Sequence, residues 1–254
     1  MIKTINRFKD GDVITVEEIA ATIDHSLLRP DITVEELKEG CEIAKKYNCI
    51  SVCVRPSDLP IVCEALKGSE VLPTTVIAFP HGTATIESKV FETKDAIEKG
   101  AVEVDVVMNI ARFLSGEYDY VEKDIKAVVD VAHLMGAKVK VIFENHYLTS
   151  EQIRKACEIA ERTGVDFVKT STGYAPTGSK IEDLKVMRAS VSDKVEVKSA
   201  GGVRDLDQIL AVLSTGSVRI GTRGTATILD EAITRAKTGQ LIVKDNNADL
   251  DGGY

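Results

Sequence analysis

The chain has 254 residues, of which 44% are hydrophobic, so it is long enough and apolar enough to bury one large core. Aspartate and glutamate (40) outnumber lysine and arginine (32), and this net charge of −8, with no long basic stretch and no tryptophan, argues against a nucleic-acid-binding protein. No apolar run approaches the roughly 20 residues of a membrane span, and the first residues lack the apolar core of a signal peptide. We therefore expect a small-molecule partner, which can be anionic if positive charge is concentrated locally.

The cysteine and histidine patterns indicate a reduced protein without a metal site. The cysteines form no Cys-x-x-Cys pair and have no histidine at zinc-ligand spacing; they are Cys41, Cys49, Cys53, Cys63 and Cys157. The four histidines fall on separate predicted elements and do not form a ligand set. The pattern predicts a cytoplasmic protein with free thiols that uses neither a metal nor another cofactor.

The N-terminal part of the chain predicts two capped helices. A short helix is expected over residues 15–22, leading into a first strand at Ile23-Asp24. The next helix opens at Thr33, because Thr33 and Glu36 have the spacing of a capping box.

From residue 50 onwards, short apolar runs alternate with amphipathic stretches of helical period. The apolar runs, many of them β-branched, predict strands at 50–54, 74–79, 102–108, 139–143, 167–168, 195–197 and 218–220. The amphipathic stretches predict helices at 57–66, 84–98, 120–134, 150–162, 181–190, 206–213 and 225–236. Such an alternation is typical of consecutive strand–helix units.

The spacing of the strands predicts how many strand–helix units the chain contains. Seven strand-end residues are 25, 27, 39, 25, 29 and 23 positions apart, one unit each time; they are Cys53, Ala78, Asp105, Glu144, Lys169, Lys198 and Gly221. The first strand brings the count to eight, which predicts a single-domain TIM (β/α)8 barrel, with its N-terminal helix, over residues 1–238. An open doubly wound sheet is the alternative, but the chain lacks the Gly-x-Gly-x-x-Gly turn expected of it.

Two lysines at strand ends carry the main functional signal. Lys169 and Lys198 each end a short apolar run and lie 29 positions apart, so both are predicted to point into the same barrel mouth. A lysine with its ordinary pKa of ~10.4 is less than about 0.1% neutral at pH 7, but burial beside a second ammonium lowers the pKa and makes the amine a nucleophile. We therefore expect Schiff-base chemistry, with the choice between the two lysines left open. Lys138 and Lys140 also flank a strand, and they are expected to be solvated.

Carboxylates are predicted near the same lysines. Asp105 lies within an apolar strand, where an unpaired carboxylate is costly, so it is interpreted as the counter-charge of the lysines and as a carrier of protons. A purely structural ion pair is the alternative. Asp24 follows the same logic at the end of the first strand, whereas Glu144 is expected to hold an adjacent loop.

Glycine-rich loops after the last two barrel strands predict a phosphate site. Gly201-Gly202 follows the seventh strand, and Gly221-Thr222-Arg223-Gly224 follows the eighth, just before a helix begins. In TIM barrels these two loops, together with a helix N-terminus, form the usual phosphate site. Tight turns alone would explain either loop, but two such loops in paired positions favour phosphate.

Seven motifs occur in order along the chain: Ile23-Asp-His-Ser-Leu-Leu28, Ser51-Val-Cys-Val54, Phe79-Pro-His-Gly82, Glu103-Val-Asp105, Phe167-Val-Lys-Thr-Ser-Thr-Gly173, Val197-Lys-Ser-Ala-Gly-Gly-Val-Arg204 and Arg219-Ile-Gly-Thr222. As an ordered set they closely resemble the deoxyribose-phosphate aldolase (DeoC) family of class I aldolases. The resemblance runs from about residue 19 to residue 236, nearly the whole chain. Each motif alone is weak, whereas the ordered set is highly specific.

The resemblance implies roles for the residues named above. Lys169 is the Schiff-base lysine, Lys198 tunes its pKa, and Asp105 and Asp24 are the inner and outer members of a proton relay. The implied reaction is reversible cleavage of 2-deoxy-D-ribose 5-phosphate to glyceraldehyde 3-phosphate and acetaldehyde, with the iminium as electron sink and no metal. The implied substrate-binding residues are Cys53, Thr172, Gly201, Gly202, Gly221, Thr222, Arg223 and Gly224. The implied assembly is a homodimer or a homotetramer.

Three positions depart from the usual family pattern. Ser26 stands where threonine is usual and keeps the hydroxyl. Arg223-Gly224 stands where many members have two serines, which removes hydroxyls from the phosphate loop and adds a cation. Arg223 is expected either to contact the phosphate or to point outward and leave binding to backbone amides. Glu144-Asn-His-Tyr147 stands where many members have Glu-Thr-Cys-Tyr, with no consequence that the sequence reveals.

The C-terminal segment lies beyond the predicted barrel. Residues 239–254 are polar and acidic, and they are predicted to form a flexible tail. Tyr254 ends this tail, and its phenol is interpreted either as a group that folds over the barrel mouth to assist proton transfer or as a free terminus.

Two other functions remain as alternatives to an aldolase. A TIM-barrel isomerase using carboxylate acid–base chemistry would leave two converging lysines without a role. A non-catalytic regulator that binds a sugar phosphate would be expected to lack Lys169, Lys198 or Asp105. All three residues are present, so the aldolase is preferred.

Overall fold

Eight parallel strands close into a barrel in the computed structural model of the protein, which describes residues 6–246, 248 and 250. In order around the barrel, the strands are β2 (Ile23–Leu27), β3 (Ser51–Val54), β4 (Leu72–Ile77), β5 (Glu103–Val107), β6 (Lys138–Ile142), β7 (Phe167–Lys169), β8 (Glu196–Ala200) and β9 (Arg219–Thr222). The last strand pairs with the first, Asp24 lying opposite Gly221. The predicted TIM barrel is therefore confirmed, and the open doubly wound sheet is excluded because the sheet has no free edge.

Helices surround the barrel and alternate with its strands. They are α1 (Val16–Ala20), α2 (Val34–Lys46), α3 (Leu59–Ala65), α4 (Ile86–Glu98), α5 (Ile110–Leu114), α6 (Tyr118–Leu134), α7 (Ser150–Thr163), α8 (Ile181–Ser190), α9 (Leu206–Ser214) and α10 (Thr225–Ala236). The predicted capping box is present, since the Thr33 hydroxyl accepts from the Glu36 amide and the Glu36 carboxylate accepts from the Thr33 amide. The helices α8 and α10 begin and end as predicted.

Alternation along the barrel strands separates the hydrophobic core from the barrel interior. Val104 and Val106 flank Asp105 in β5, and Val197 precedes Lys198 in β8; all three valines are at most 1% exposed. Successive strand side chains point to opposite faces, so the valines pack toward the helices while the charged residues between them line the barrel interior. The same short apolar runs that predict the strands therefore build the layer that holds the charged groups in place.

Four residues predicted at strand ends lie inside their strands, and two of them are charged. Asp105 is the third residue of β5 and Lys198 the third residue of β8, whereas Lys169 ends β7 as predicted. The first barrel strand likewise continues three residues beyond the predicted Ile23-Asp24. At Asp105 and Lys198, the prediction ended the strand at a charged residue. These two strands continue further, because charged side chains are tolerated inside the barrel where they pair with one another.

The predicted tail needs correction over its first part. Residues Leu241–Ile242 form strand β10, which pairs antiparallel with β1 (Val13–Ile14) outside the barrel. Val243 is fully buried and exchanges backbone hydrogen bonds with Gly11 and Asp12 at 2.9 Å. The apolar run is only three residues long, and its partner strand lies more than 200 positions away, so the sequence pattern alone did not reveal it. Tyr254 lies outside the described residues.

The long unit between β5 and β6 contains a helix that the sequence patterns did not predict. This helix, α5, begins after Asn109, whose side-chain oxygen accepts a hydrogen bond from the Arg112 amide at 3.2 Å. Five residues are too few to show a helical period, so only the length of the unit indicated an additional element.

Candidate active site

The four residues predicted as catalytic come together inside the barrel. Lys169 and Lys198 lie opposite each other on β7 and β8, and both ammonium nitrogens are 2.7 Å from the same oxygen, Oδ2 of Asp105. Lys198 also donates to Asp24, which accepts a further hydrogen bond from the Ser51 hydroxyl. All four side chains are buried, with exposures of 2% or less.

Three more charged residues complete this cluster. Lys140 Nζ lies 2.7 Å from the second oxygen of Asp105 and 2.6 Å from Glu103, and Arg219 Nη1 lies 2.7 Å from Asp24 and 2.9 Å from Glu103. We call these seven residues the charged floor; they are Asp24, Glu103, Asp105, Lys140, Lys169, Lys198 and Arg219. The expectation that Lys140 is solvated is wrong, because its side chain is fully buried.

The sequence did not predict that Lys140, Glu103 and Arg219 join this cluster. The available signal was alternation: Glu103 is two residues from Asp105 and therefore lies on the same face of β5. Lys140 is opposite Asp105 on the neighbouring strand, but this register is known only from the closed barrel. A lysine between two valines is otherwise indistinguishable from one whose ammonium reaches solvent.

The charges of the floor balance when one lysine is neutral. Three carboxylates face three lysines and one arginine, so full ionisation would leave a net charge of +1 in a region closed to water. Unbalanced buried charge is strongly unfavourable, and the group held by the fewest opposite charges is the one expected to lose its proton.

Lys198 is held in its charged form. Burial opposes the charge, but Asp105 and Asp24 more than offset burial and raise the pKa of Lys198. Burial likewise opposes ionisation of Asp105, yet the ammonium groups of Lys140, Lys169 and Lys198 hold the pKa of this carboxyl well below its usual range. These two groups therefore form a stable ion pair.

Lys169 is the lysine whose pKa is lowered. Burial is the main cause, Asp105 partly offsets it, and the positive charge of Lys198 lowers the pKa further. Unlike Lys198, Lys169 contacts only one carboxylate, and it shares that carboxylate with two other lysines. The prediction that the two lysines depress each other's pKa is thus correct for Lys169 and wrong for Lys198, so the geometry separates two residues that the sequence left equivalent.

A cavity of about 510 Å³ opens above the floor and contains most of the predicted site. The predicted residues that line it are Asp24, Cys53, Lys169, Thr172, Lys198, Gly201, Gly202, Gly221, Thr222, Arg223 and Gly224. Asp105 does not line the cavity, because it lies beneath the two lysines that do. Burial raises the pKa of the Cys53 thiol, which is therefore protonated in the cavity wall.

The two glycine-containing segments both line this cavity, at the ends of the neighbouring strands β8 and β9. The second segment was predicted to follow its strand, but its first two residues, Gly221 and Thr222, belong to β9. We call the two segments the glycine cradle; it comprises Gly201, Gly202 and residues 221–224. Gly201 and Gly202 have φ angles of +83° and +87°, which disfavour any residue with a side chain. The Thr222 hydroxyl donates to the Val203 carbonyl at 2.6 Å and accepts from the Gly224 amide at 3.0 Å, so it shapes the turn that starts α10.

The N-terminus of α10 is anchored to the barrel from below. Nδ1 of His25 lies 2.8 Å from the hydroxyl of Thr225, the first residue of α10, and burial lowers the pKa of His25 to about 4. Because His25 is neutral, the local electrostatic field comes from the positive end of the α10 dipole. The cradle thus combines backbone flexibility, free space and a helix N-terminus, the elements that bind an anion.

Comparison with known proteins identifies the family. The sequence model described as DeoC/LacD family aldolase matches residues 18–231, which is most of the chain. The chain belongs to the DeoC/LacD family of aldolases. Neither an isomerase nor a non-catalytic regulator is therefore supported, and the enzyme class predicted from the two lysines is confirmed.

Individual relatives of this aldolase agree with the family match. Deoxyribose-phosphate aldolase of Clostridium perfringens strain 13 is 46% identical over 218 residues, covering 86% of this chain and 97% of that protein. The enzyme of the same name from Caldanaerobacter subterraneus is also 46% identical, covering 84% and 93% of the two chains. The solved tetrameric deoxyribose phosphate aldolase of Aeropyrum pernix superposes with a TM-score of 0.81 at 27% identity, covering 87% and 93%.

In this aldolase, Glu144 holds the loop that follows Lys169. Its backbone is left-handed, with φ of 58°, a strained conformation for a residue with a side chain. Its carboxylate accepts hydrogen bonds from the amide and the hydroxyl of Thr172, and burial raises its pKa. The backbone N–H of the next residue, Asn145, donates to the Thr170 carbonyl at 2.9 Å. The strained turn therefore fixes the Thr172 side chain beside the reactive lysine.

Neither a metal-ligand cluster nor a membrane-spanning helix occurs in the described part of the chain. Within residues 6–246, 248 and 250, no three or more His, Cys, Asp and Glu side chains are grouped so as to hold a metal ion. No helix in this part of the chain is both long and apolar enough to cross a bilayer.

Proposed function

We propose that this aldolase reversibly cleaves 2-deoxy-D-ribose 5-phosphate into D-glyceraldehyde 3-phosphate and acetaldehyde, in the catabolism of deoxyribose phosphate. The observation that carries the proposal is the buried Lys169, which has a lowered pKa and faces a cavity with a glycine cradle at its other side. The names of the relatives support the same substrate.

Lys169 acts as the nucleophile. Its neutral amine attacks the C1 aldehyde of the open-chain sugar to give a carbinolamine. The carbinolamine hydroxyl takes up one proton from solvent and leaves as water, which gives a protonated iminium. The iminium carries a positive charge that the amine lacked, so the net charge of the floor rises from zero to +1. This excess charge favours movement of the electron pair of the C2–C3 bond toward the iminium, and no metal is needed as an electron sink.

Bond cleavage and product release both require a proton carrier. The C2–C3 bond breaks as the C3 hydroxyl loses its proton, which releases glyceraldehyde 3-phosphate and leaves an enamine on Lys169. Protonation of the enamine carbon and hydrolysis then release acetaldehyde and restore the amine. We assign both proton movements to Lys198, which lines the cavity: it accepts the C3 hydroxyl proton as it passes one of its own protons to Asp105, and the reverse transfer protonates the enamine carbon. Asp24 is the outer partner of this relay.

The glycine cradle is proposed to bind the phosphate. Backbone amides of Gly201 and Gly202 and the N-terminus of α10 favour an oxyanion, and Arg223 adds a positive side chain on the same wall. Cys53 and Thr172 complete the wall nearer Lys169, where the carbon chain of the sugar lies.

We further propose a cytoplasmic location and a homo-oligomeric assembly. None of the five cysteines, all of which lie among the described residues, forms a disulfide, and this fits a reducing cytoplasm. The Aeropyrum pernix relative is described as a tetramer, and this supports a homodimer or homotetramer here. Size-exclusion chromatography with light scattering tests the assembly directly, and a monomer at micromolar concentration would exclude it.

Trapping with borohydride tests the nucleophile. The protein is incubated with acetaldehyde, reduced and digested, and the modified peptide is found by mass spectrometry. A two-carbon adduct on Lys169 is expected, and it should be absent from the Lys169→Arg variant but present in Lys198→Arg. An adduct on Lys198 alone would exchange the two roles, whereas a folded protein without any adduct would overturn the proposal.

A further inference from the structure

Hydrogen bonds connect the loop between β7 and α8, residues 170–180, to the turn after β6, near the beginning and near the end of the loop. Glu144 and Asn145 hold its beginning, as described above. Near its other end, Nδ1 of His146 lies 2.8 Å from the Thr177 hydroxyl, a partly buried hydrogen bond across 31 positions of sequence. The imidazole also packs edge-on against Tyr147, with the ring centroids 4.8 Å apart.

The residues next to Thr177 lie directly against the glycine cradle. A Cβ atom added to Gly178 would lie only 2.4 Å from the carbonyl carbon of Gly201, so the two backbones are in close contact. The Ser179 amide donates to the Gly201 carbonyl at 3.0 Å, and the Ser199 hydroxyl donates to the Ser179 hydroxyl at 2.9 Å. The loop therefore packs against the part of the cradle that contains Gly201 and supports it.

The cradle depends on such support because it has few side chains of its own. Gly201 and Gly202 lack the side-chain packing that limits backbone motion, and glycine has the widest range of backbone conformations. The loop that supports them contains no helix or strand between Lys169 and Ile181. The His146–Thr177 hydrogen bond lies one residue before Gly178, so it restrains the supporting loop next to its contact with the cradle.

We propose that His146 is a positioning residue for phosphate recognition: its hydrogen bond to Thr177 holds Gly178 and Ser179 against Gly201 and so sets the preference for phosphorylated over unphosphorylated substrates. The inference rests on the proposed function and deepens it.

The test compares one phosphorylated substrate with its unphosphorylated counterpart. In His146→Ala, the KM for 2-deoxyribose 5-phosphate should rise about fivefold with kcat within about twofold, an effect of ~1 kcal/mol that matches one neutral hydrogen bond. The kcat/KM for 2-deoxyribose should stay within about twofold. Inhibition of 2-deoxyribose cleavage by inorganic phosphate should weaken by the same factor as the KM rises.

Matched variants separate the hydrogen bond from general packing. His146→Asn keeps a hydrogen-bonding atom near the place of Nδ1 and should restore most of the KM. Thr177→Ser keeps the hydroxyl and should resemble the parent enzyme, whereas Thr177→Val should resemble His146→Ala. The double variant His146→Ala/Thr177→Val should be no worse than either single variant. Thr177→Val also provides the comparison if His146→Ala fails to fold.

The outcomes distinguish this inference from the proposed function. If the parent enzyme does not prefer 2-deoxyribose 5-phosphate over 2-deoxyribose, the proposed function fails. If the parent shows the preference but the variants leave it unchanged, or lose both substrates equally, the positioning role of His146 is overturned.

Discussion

The charged floor and the glycine cradle lie in one cavity but are built in opposite ways. Every floor residue belongs to a barrel strand, and its charge is held by two or more side chains or, for Lys169, by a single shared carboxylate. The cradle lies at the end of β9 and in the loops after β8 and β9, offers mainly backbone amides, and depends on a neighbouring loop for its shape. In the proposed function, the chemical steps therefore depend on strand residues, and the choice of substrate depends on loop residues.

This difference predicts where substitutions act. Removing one charge from the floor leaves another buried charge unpaired, which costs stability as well as turnover. Changing one side chain at the cradle removes a single contact while the backbone amides remain, so the effect is smaller and falls on KM. The following experiments are ordered from the largest expected effect to the smallest.

The largest effect is expected from Asp105→Asn. Three lysines lose their shared counter-charge, so the free energy of unfolding should fall by about 3–5 kcal/mol and kcat by about 10³-fold. Glu103→Gln is the matched control, because it also removes a floor charge but does not contact Lys169. It should cost similar stability while kcat falls by less than about tenfold. Denaturant unfolding and steady-state rates measure both, and equal losses of kcat would contradict a direct role for Asp105.

The pH dependence of imine formation tests the electrostatic separation of the two lysines. Only the neutral amine of Lys169 attacks, so the rate of borohydride trapping should rise with pH and reach half its maximum below pH 10.5, the usual lysine pKa. In Lys198→Met the neighbouring positive charge is gone, so the pKa of Lys169 rises and the curve should move to higher pH. A shift to lower pH, or none, would show that Lys198 does not tune Lys169.

A smaller effect is expected from Arg223→Ser at the cradle. If the guanidinium contacts the phosphate, the KM for 2-deoxyribose 5-phosphate should rise about tenfold, the size of one charge-assisted hydrogen bond, with kcat nearly unchanged. Arg154→Ser, on an exposed position of α7, controls for the loss of one positive charge. An unchanged KM in Arg223→Ser would exclude the contact and leave phosphate binding to backbone amides.

The smallest effect is expected away from the cavity, at the β1–β10 pair. Val243→Ala removes two buried methyl groups and should lower the free energy of unfolding by about 1–2 kcal/mol without changing the kinetics. The neighbouring Ile242 is 38% exposed, and Ile242→Ala should change the unfolding free energy by less than Val243→Ala does. Equal and negligible effects in both variants would restore the expectation of a flexible tail.

Local patterns in the sequence were sufficient for the architecture and for the main reactive groups. Strand–helix units of regular length predict a barrel because each unit has to return the chain to the same end before the next strand begins. Lys169, Lys198 and Asp105 stand out because charged residues at or within apolar strands are costly unless they pair. The glycines near the ends of β8 and β9 are recognisable, because both their residue type and their place after an apolar run can be read from a short stretch of sequence.

Only the tertiary structure shows how the electrostatic environments of the two lysines differ. Lys169 and Lys198 have equivalent sequence surroundings, but Lys198 meets two carboxylates and Lys169 meets one that it shares. The number of opposite charges around a buried amine depends on strands far apart in sequence, so no local pattern encodes it. The same reason explains why buried Lys140, the β1–β10 pair and the His146–Thr177 hydrogen bond became apparent only once the barrel had brought their partners together.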